Sequence, residues 1–187
     1  MLHINFNARC IDDRVHHQLG VECIVELRIG FHGGFGLLNI YGIPKPAYRA
    51  FELLHRSGNE MLKVTGAHET VDTWITRDRD TITIFVTNWA LPRHEIKVET
   101  ISVQLNGINA VKNAYLERID DTHANTKQAW VDLGSPASLT PDQVEHLEWK
   151  SSLIKEAVDI SNADNSITII LNMLPQATAC ITLEINE

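Results

Sequence analysis

The residues that could do chemistry fall into a few groups along this 187-residue chain. Asp120-Asp121-Thr122-His123 sets carboxylates close in sequence to an imidazole, the couple that general acid–base catalysis uses. The same residues, with Asn125, are turn and cap formers able to satisfy the backbone of a helix-bearing excursion anchored by Trp130, and that structural use is the stronger reading. Gly30, Gly33, Gly34 and Gly36 invite a phosphate loop, because glycine frees backbone N–H groups to cradle an anion at a helix start. The pattern breaks down: no Gly-x-x-x-x-Gly-Lys occurs, Gly34-x-Gly36 lacks a third glycine, and no helix begins until after Pro44. A tight loop using positive φ angles remains.

Nine histidines raise the question of a metal. His-Glu-x-x-His is absent, and Glu52-x-x-His55 occurs once where a di-iron bundle needs it twice. His16-His17 with Cys10, Asp12 and Asp13 forms a ligand set on paper, but adjacent histidines point apart in most backbones. No metal site and no cofactor are therefore expected. There is no Gly-x-Ser-x-Gly elbow, and Cys180 sits in the apolar run Ala179-Cys180-Ile181, where a buried structural thiol is expected in place of a nucleophile.

The elements that must carry these residues change character along the chain. Pro44-Lys45-Pro46 opens an amphipathic helix with Ala47, Tyr48, Ala50, Phe51 and Leu54 on one stripe, and Gly58 ends it as a C′ residue. Upstream, Val21 to Ile29 reads as a strand. From Met61 onward short β-branched runs take over: 62–67, 70–76, 81–88, 95–104, 111–119, 153–160, 166–171 and 177–185. In Thr81 to Thr87 the residues Ile82, Ile84 and Val86 share one face. Strands this short, with little helix between most of them, predict a mainly β fold, an antiparallel β-sandwich. A helical insertion interrupts it from about Asp120 to Lys150. There, Asn125 to Leu133 is closed by Gly134, and Thr140-Pro141-Asp142-Gln143 has the form of a capping box with proline at the first helical position.

Lys and Arg total 16 against 24 Asp and Glu, a formal charge of −8. The chain lacks the basic footprint of a nucleic-acid binder, and an anionic membrane surface would repel it. No apolar run approaches the roughly 18 residues of a membrane span. Met1 to Asn7 has neither the basic nor the apolar region of a secretory signal. Three scattered cysteines, Cys10, Cys23 and Cys180, fit a reducing compartment, so a cytoplasmic location is expected.

Two separated motifs carry a family resemblance. Phe31-His32-Gly33-Gly34-Phe35-Gly36-Leu37-Leu38-Asn39, followed by Ile43 to Leu54, resembles the last loop and helix of the barrel in β-xylosidases of glycoside hydrolase family 39. Ile119-Asp120-x-x-His123-x-Asn125, with Trp130, Gly134-x-Pro136, Leu139 and Gln143, is similar to the C-terminal β-sandwich of the same proteins. α-L-Iduronidases share the architecture and resemble the chain less closely. The resemblance runs from Phe31 to the C-terminus. It divides the chain into an unmatched segment (1–30), a remnant of a (β/α)₈ barrel with its terminal helix (31–58) and a β-sandwich domain (59–187).

The resemblance implies a glycosidase that hydrolyses terminal xylose from xylo-oligosaccharides. It also implies a missing part. A retaining glycosidase needs two carboxylates about 5–5.5 Å apart, and barrel enzymes carry such residues at the ends of different strands. Neither family glutamate has a match in residues 1–30. Asn59-Glu60 is similar to the family's Asn-Glu pair but follows the final barrel helix, so it is rejected as catalytic. The chain is thus expected to be a truncated, inactive fragment with no catalytic residue of its own. His32, in the loop bordering the substrate mouth, is the one expected substrate contact. Tyr48, Phe51 and Leu54 would face the barrel wall. Without it they repack on the sandwich or leave a patch prone to homo-oligomer formation. A second reading makes the chain a non-catalytic sandwich module for barrel packing, oligomer contacts or weak glycan binding, with Trp74, Trp89, Trp130 and Trp149 as candidate platforms.

Overall fold

The computed structural model describes Phe31 and residues 36–185, with 109 and 164 excepted. Among the described residues it forms helices α1 (Pro46–His55), α2 (Thr126–Asp132) and α3 (Pro141–Lys150). The strands are β1 (Glu60–Leu62), β2 (Val71–Asp78), β3 (Thr81–Asn88), β4 (Glu99–Asn106), β5 (Val111–Ile119), β6 (Glu156–Ala157), β7 (Ile160–Ala163), β8 (Ser166–Met173) and β9 (Ala177–Ile185). They fall into two compact units, each built from two stretches of chain. One is Leu53–Asp120 with Leu153–Glu187; the other is Asp121–Ser152 with the described residues up to Glu52.

The first unit contains all nine strands of the described residues. A six-stranded sheet runs in the order β1-β2-β3-β9-β5-β6 and a three-stranded sheet in the order β4-β8-β7. Every pairing is antiparallel. Period-two alternation explains the core. In β8, Ile167, Ile169, Leu171 and Met173 are buried while Ile170 and Asn172 point out. They join Val103 and Leu105 of β4 in one cluster with Ile82, Ile84 and Val86 of β3 and Ile181 and Leu183 of β9. Each such side chain contributes about 1.5–3 kcal/mol on full burial. The mainly antiparallel β fold is present as expected. β3 goes further than simple alternation: Thr83 and Phe85, on its other face, are buried as well. Phe85 stacks on its cross-strand partner Trp74 with ring centroids 4.9 Å apart.

Several boundaries differ from the sequence expectation. The strand expected at 62–67 is shorter and lies earlier, at Glu60–Leu62, sharing only Leu62 with it. The one expected at 95–104 begins at Glu99. The run expected as a single strand at 153–160 becomes two: β6 pairs with Tyr115 and Leu116 of the large sheet, and β7 pairs with β8 of the small one. Val158 and Asp159 carry the chain between sheets without a glycine or proline to mark the change. The strand expected at Val21 to Ile29 lies outside the described residues.

Gly58 ends α1 for a different reason from the one expected. Its φ is not positive, so it is no left-handed C′ residue. A Cβ there would sit 2.2 Å from the carbonyl carbon of Arg77 in β2. Its N–H donates to Thr76 Oγ1 at 3.0 Å. Glycine is needed for close backbone approach. The last helical turn is instead satisfied by tight bonds from Arg56 N to Leu53 O and Ser57 N to Leu54 O, both 3.1 Å.

Candidate functional site

Within the second unit, described residues of both sequence motifs meet. Leu38 and Pro44 form an isolated antiparallel bridge around a tight turn. Buried Asn39 organises that turn: its Oδ1 accepts from Tyr41 N at 2.9 Å and from Ile43 N at 3.0 Å. The Tyr41 hydroxyl accepts from Leu139 N at 3.2 Å, joining the first motif to the second. Phe31 stacks on Trp130 at 5.1 Å, and Trp130 Nε1 donates to Pro136 O at 3.0 Å.

Arg49 of α1 makes the most extensive link. Its Nε donates to Ser151 O at 2.8 Å and its Nη2 to Ser151 Oγ at 3.0 Å, while Nη1 pairs with Glu52 Oε2 at 2.6 Å. A guanidinium fork therefore closes the C-terminus of α3, where the helix dipole favours a cation. Nothing in the sequence pattern singled out this arginine, since its partner lies 102 residues away. At its other end α3 starts on the expected capping box. Gln143 N donates to Thr140 Oγ1 and Thr140 N to Gln143 Oε1.

The Asp120–Asn125 segment leads from β5 to α2. Asp120 is buried just beyond β5. Thr122 Oγ1 and His123 Nδ1 are 2.9 Å apart. Ala124 takes a φ of 51°, and Asn125 caps α2 by accepting from Lys127 N. The Asn125 cap is the local bond that such a residue makes at a helix start. The α2 helix, expected at 125–133, spans Thr126–Asp132 and is followed by Gly134 at φ 85°. His32, the expected substrate contact, lies outside the described residues, as do His16, His17 and Cys10. Among the described residues no group of three or more His, Cys, Asp or Glu side chains is disposed to hold a metal ion.

Cys180 is buried, and its thiol is pushed up to about 12 by desolvation and by the Glu117 carboxylate opposite it on β5. A thiol so placed stays protonated and unreactive. The four tryptophans divide. Trp74 and Trp130 are stacked anchors, whereas Trp89 and Trp149 are 46% and 61% exposed. On α1, Leu53 is buried while Tyr48 and Phe51 of the predicted stripe face solvent. Among the described residues no helix is long and apolar enough to cross a membrane.

The model of glycosyl hydrolases family 39 matches residues 21–166. The chain belongs to glycoside hydrolase family 39. The match begins upstream of the glycine loop and takes in both motifs. A β-xylosidase of Caldicellulosiruptor saccharolyticus is 39% identical over 157 residues, 82% of this chain and 32% of that protein. A β-xylosidase of Geobacillus stearothermophilus is 29% identical over 119 residues, covering 63% of this chain and 22% of its own length. Among solved structures, a family 39 β-xylosidase from Caulobacter crescentus superposes with a TM-score of 0.64 at 27% identity, over 83% of this chain and 31% of that one. A family 39 enzyme from Xanthomonas axonopodis pv. citri, at 21% identity and a TM-score of 0.65, covers 84% of this chain and 34% of its own, and shares the fold. The chain thus spans about a third or less of the length of these family 39 relatives.

Proposed function

We propose that this chain is the C-terminal part of a β-xylosidase-type glycosidase. The complete enzyme removes terminal xylose from xylo-oligosaccharides, and the chain alone is inactive because both catalytic glutamates are missing from it. The observation that carries this reading is the 39% identity to a β-xylosidase, spread over 82% of this chain but only 32% of the relative. In this reading residues 31–58 are the last loop and helix of a barrel and residues 59–187 are the sandwich with its helical insertion, while the family match also takes in residues 21–30 ahead of them. Exposed Phe51 and Tyr48 support it, because a barrel wall would cover that stripe. The same stripe offers a face for self-association, which light scattering reads directly. His32 is the substrate contact assigned to this part of the enzyme. A buried, protonated Cys180 fits a reducing, cytoplasmic setting.

Purified chain incubated with nitrophenyl-xyloside tests the proposal. No turnover above buffer is expected. Substantial turnover that disappears when a carboxylate within the chain is replaced would overturn it, since the catalytic pair would then be present.

A further inference from the structure

Trp89, just beyond the end of β3, borders an open cleft of about 290 Å³ whose walls include Glu69, Asp72, Leu91, His94 and Glu95. One bond ties the ring and two more tie the backbone that carries it. Its Nε1 donates to Asp72 Oδ2 at 3.1 Å, and its backbone N donates to Thr70 O at 2.9 Å. The next residue, Ala90, accepts from Gln176 Nε2 at 2.9 Å. With its polar edge tied to Asp72, the indole still leaves 46% of the residue open to solvent. A platform fixed in advance forfeits little ordering entropy on binding.

The cleft's rim is fixed too. Leu91-Pro92-Arg93-His94 forms a turn closed by His94 N donating to Leu91 O at 3.1 Å, and Arg93 takes a φ of 80°, as the third position of a type II turn demands. The groups around the ring are mostly acceptors: the carboxylates of Glu69, Asp72 and Glu95 have no proton to give when ionised. Lys97 Nζ, 3.0 Å from Glu95 Oε1, offsets one of those charges.

A flat apolar face beside hydrogen-bond acceptors complements a ligand with one C–H face and a rim of hydroxyl donors. Phosphates and carboxylates meet like charge here. A quaternary ammonium ion favours a cage of several rings, and this cleft lines up one. We propose that the cleft is a secondary binding site for a neutral saccharide, one sugar ring stacked on Trp89 and its hydroxyls donating to the Asp72, Glu69 and Glu95 carboxylates. The volume lies at the lower edge of small-molecule sites, room for one or two rings. The site uses no catalytic group, so it stands or fails independently of the xylosidase reading.

Calorimetric titration of the full chain with xylotriose, and separately with choline, tests the proposal. Saturable millimolar binding of xylotriose is expected, unchanged in Trp149→Ala and weakened about tenfold or more in Trp89→Ala. Should Trp89→Ala not fold by circular dichroism, Trp89→Phe replaces it, with a several-fold loss expected from the smaller platform. The proposal is overturned by absence of saturable xylotriose binding, by choline binding in its place, or by undiminished affinity in the folded Trp89 variant.

Discussion

Arg56 Nη2 lies 3.0 Å from Glu117 Oε2, and water reaches the two partners very unequally: the Glu117 side chain is 3% exposed, that of Arg56 39%. Burial draws the Arg56 guanidinium down, but the Glu117 carboxylate outweighs it and leaves the group raised overall. The asymmetry predicts unequal mutants. Arg56→Met strands a buried carboxylate and should cost about 2–3 kcal/mol, whereas Glu117→Gln leaves an arginine that can turn to water and should cost about 1 kcal/mol. Urea unfolding of both variants checks the order. Equal losses would mean that the carboxylate is solvated after all.

Cys180 gives a pH dependence with a definite sign. Its thiol titrates near 9.0 when unfolded and near 12 when folded, so the unfolded chain loses the proton first as pH rises. The contribution is fully present below pH 9.0 and is lost from there toward 12, at about 1.4 kcal/mol per pH unit. Cys180→Ala should flatten that alkaline decline, measured as urea midpoints across the range. An unchanged slope in the variant would assign the decline to other groups.

Gly58→Ala should be severe although the helix propensity of alanine is better. The added carbon meets the Arg77 carbonyl carbon at 2.2 Å, and backbone cannot swing aside as a side chain can. A loss of about 2–3 kcal/mol is expected, with β1 and the end of β2 losing hydrogen-exchange protection first. A neutral substitution would show that the two segments separate easily.

Arg49→Lys removes the planar fork that reaches both Ser151 O and Ser151 Oγ. An ammonium can keep one of these bonds, so a loss of about 1 kcal/mol is expected, felt as faster amide exchange in the last turn of α3. Unaltered exchange there would reduce the contact to a surface pairing.

The strands of the sandwich were legible because one buried face leaves a period of two in the sequence, as β8 shows. What escaped has physical reasons. Val158-Asp159 links β6 of one sheet to β7 of the other with neither glycine nor proline, so no turn residue announces the change. On α1 the stripe of Tyr48 and Phe51 is conspicuous, yet Leu53 is buried in its place. Periodicity reports which residues could be covered, not what covers them. Gly58 marked the helix end correctly while serving a neighbour distant in sequence. At the candidate site, capping and turn residues were readable from their local spacing. Arg49–Ser151 and Arg56–Glu117 join residues far apart along the chain, and a single sequence carries no local sign of such pairs.

The two units interleave along the backbone, changing over after Glu52, after Asp120 and after Ser152. No single cut can therefore release either one intact. A stop codon after Asp120 would remove β8 and β9 from the sandwich and all of α3 from the other unit, and a protease nick at Ser152 would leave each piece holding half of a core. Excision of the sandwich alone calls for joining residue 120 to residue 153, where Asp121–Ser152 behaves as a cassette spliced into a continuous β protein.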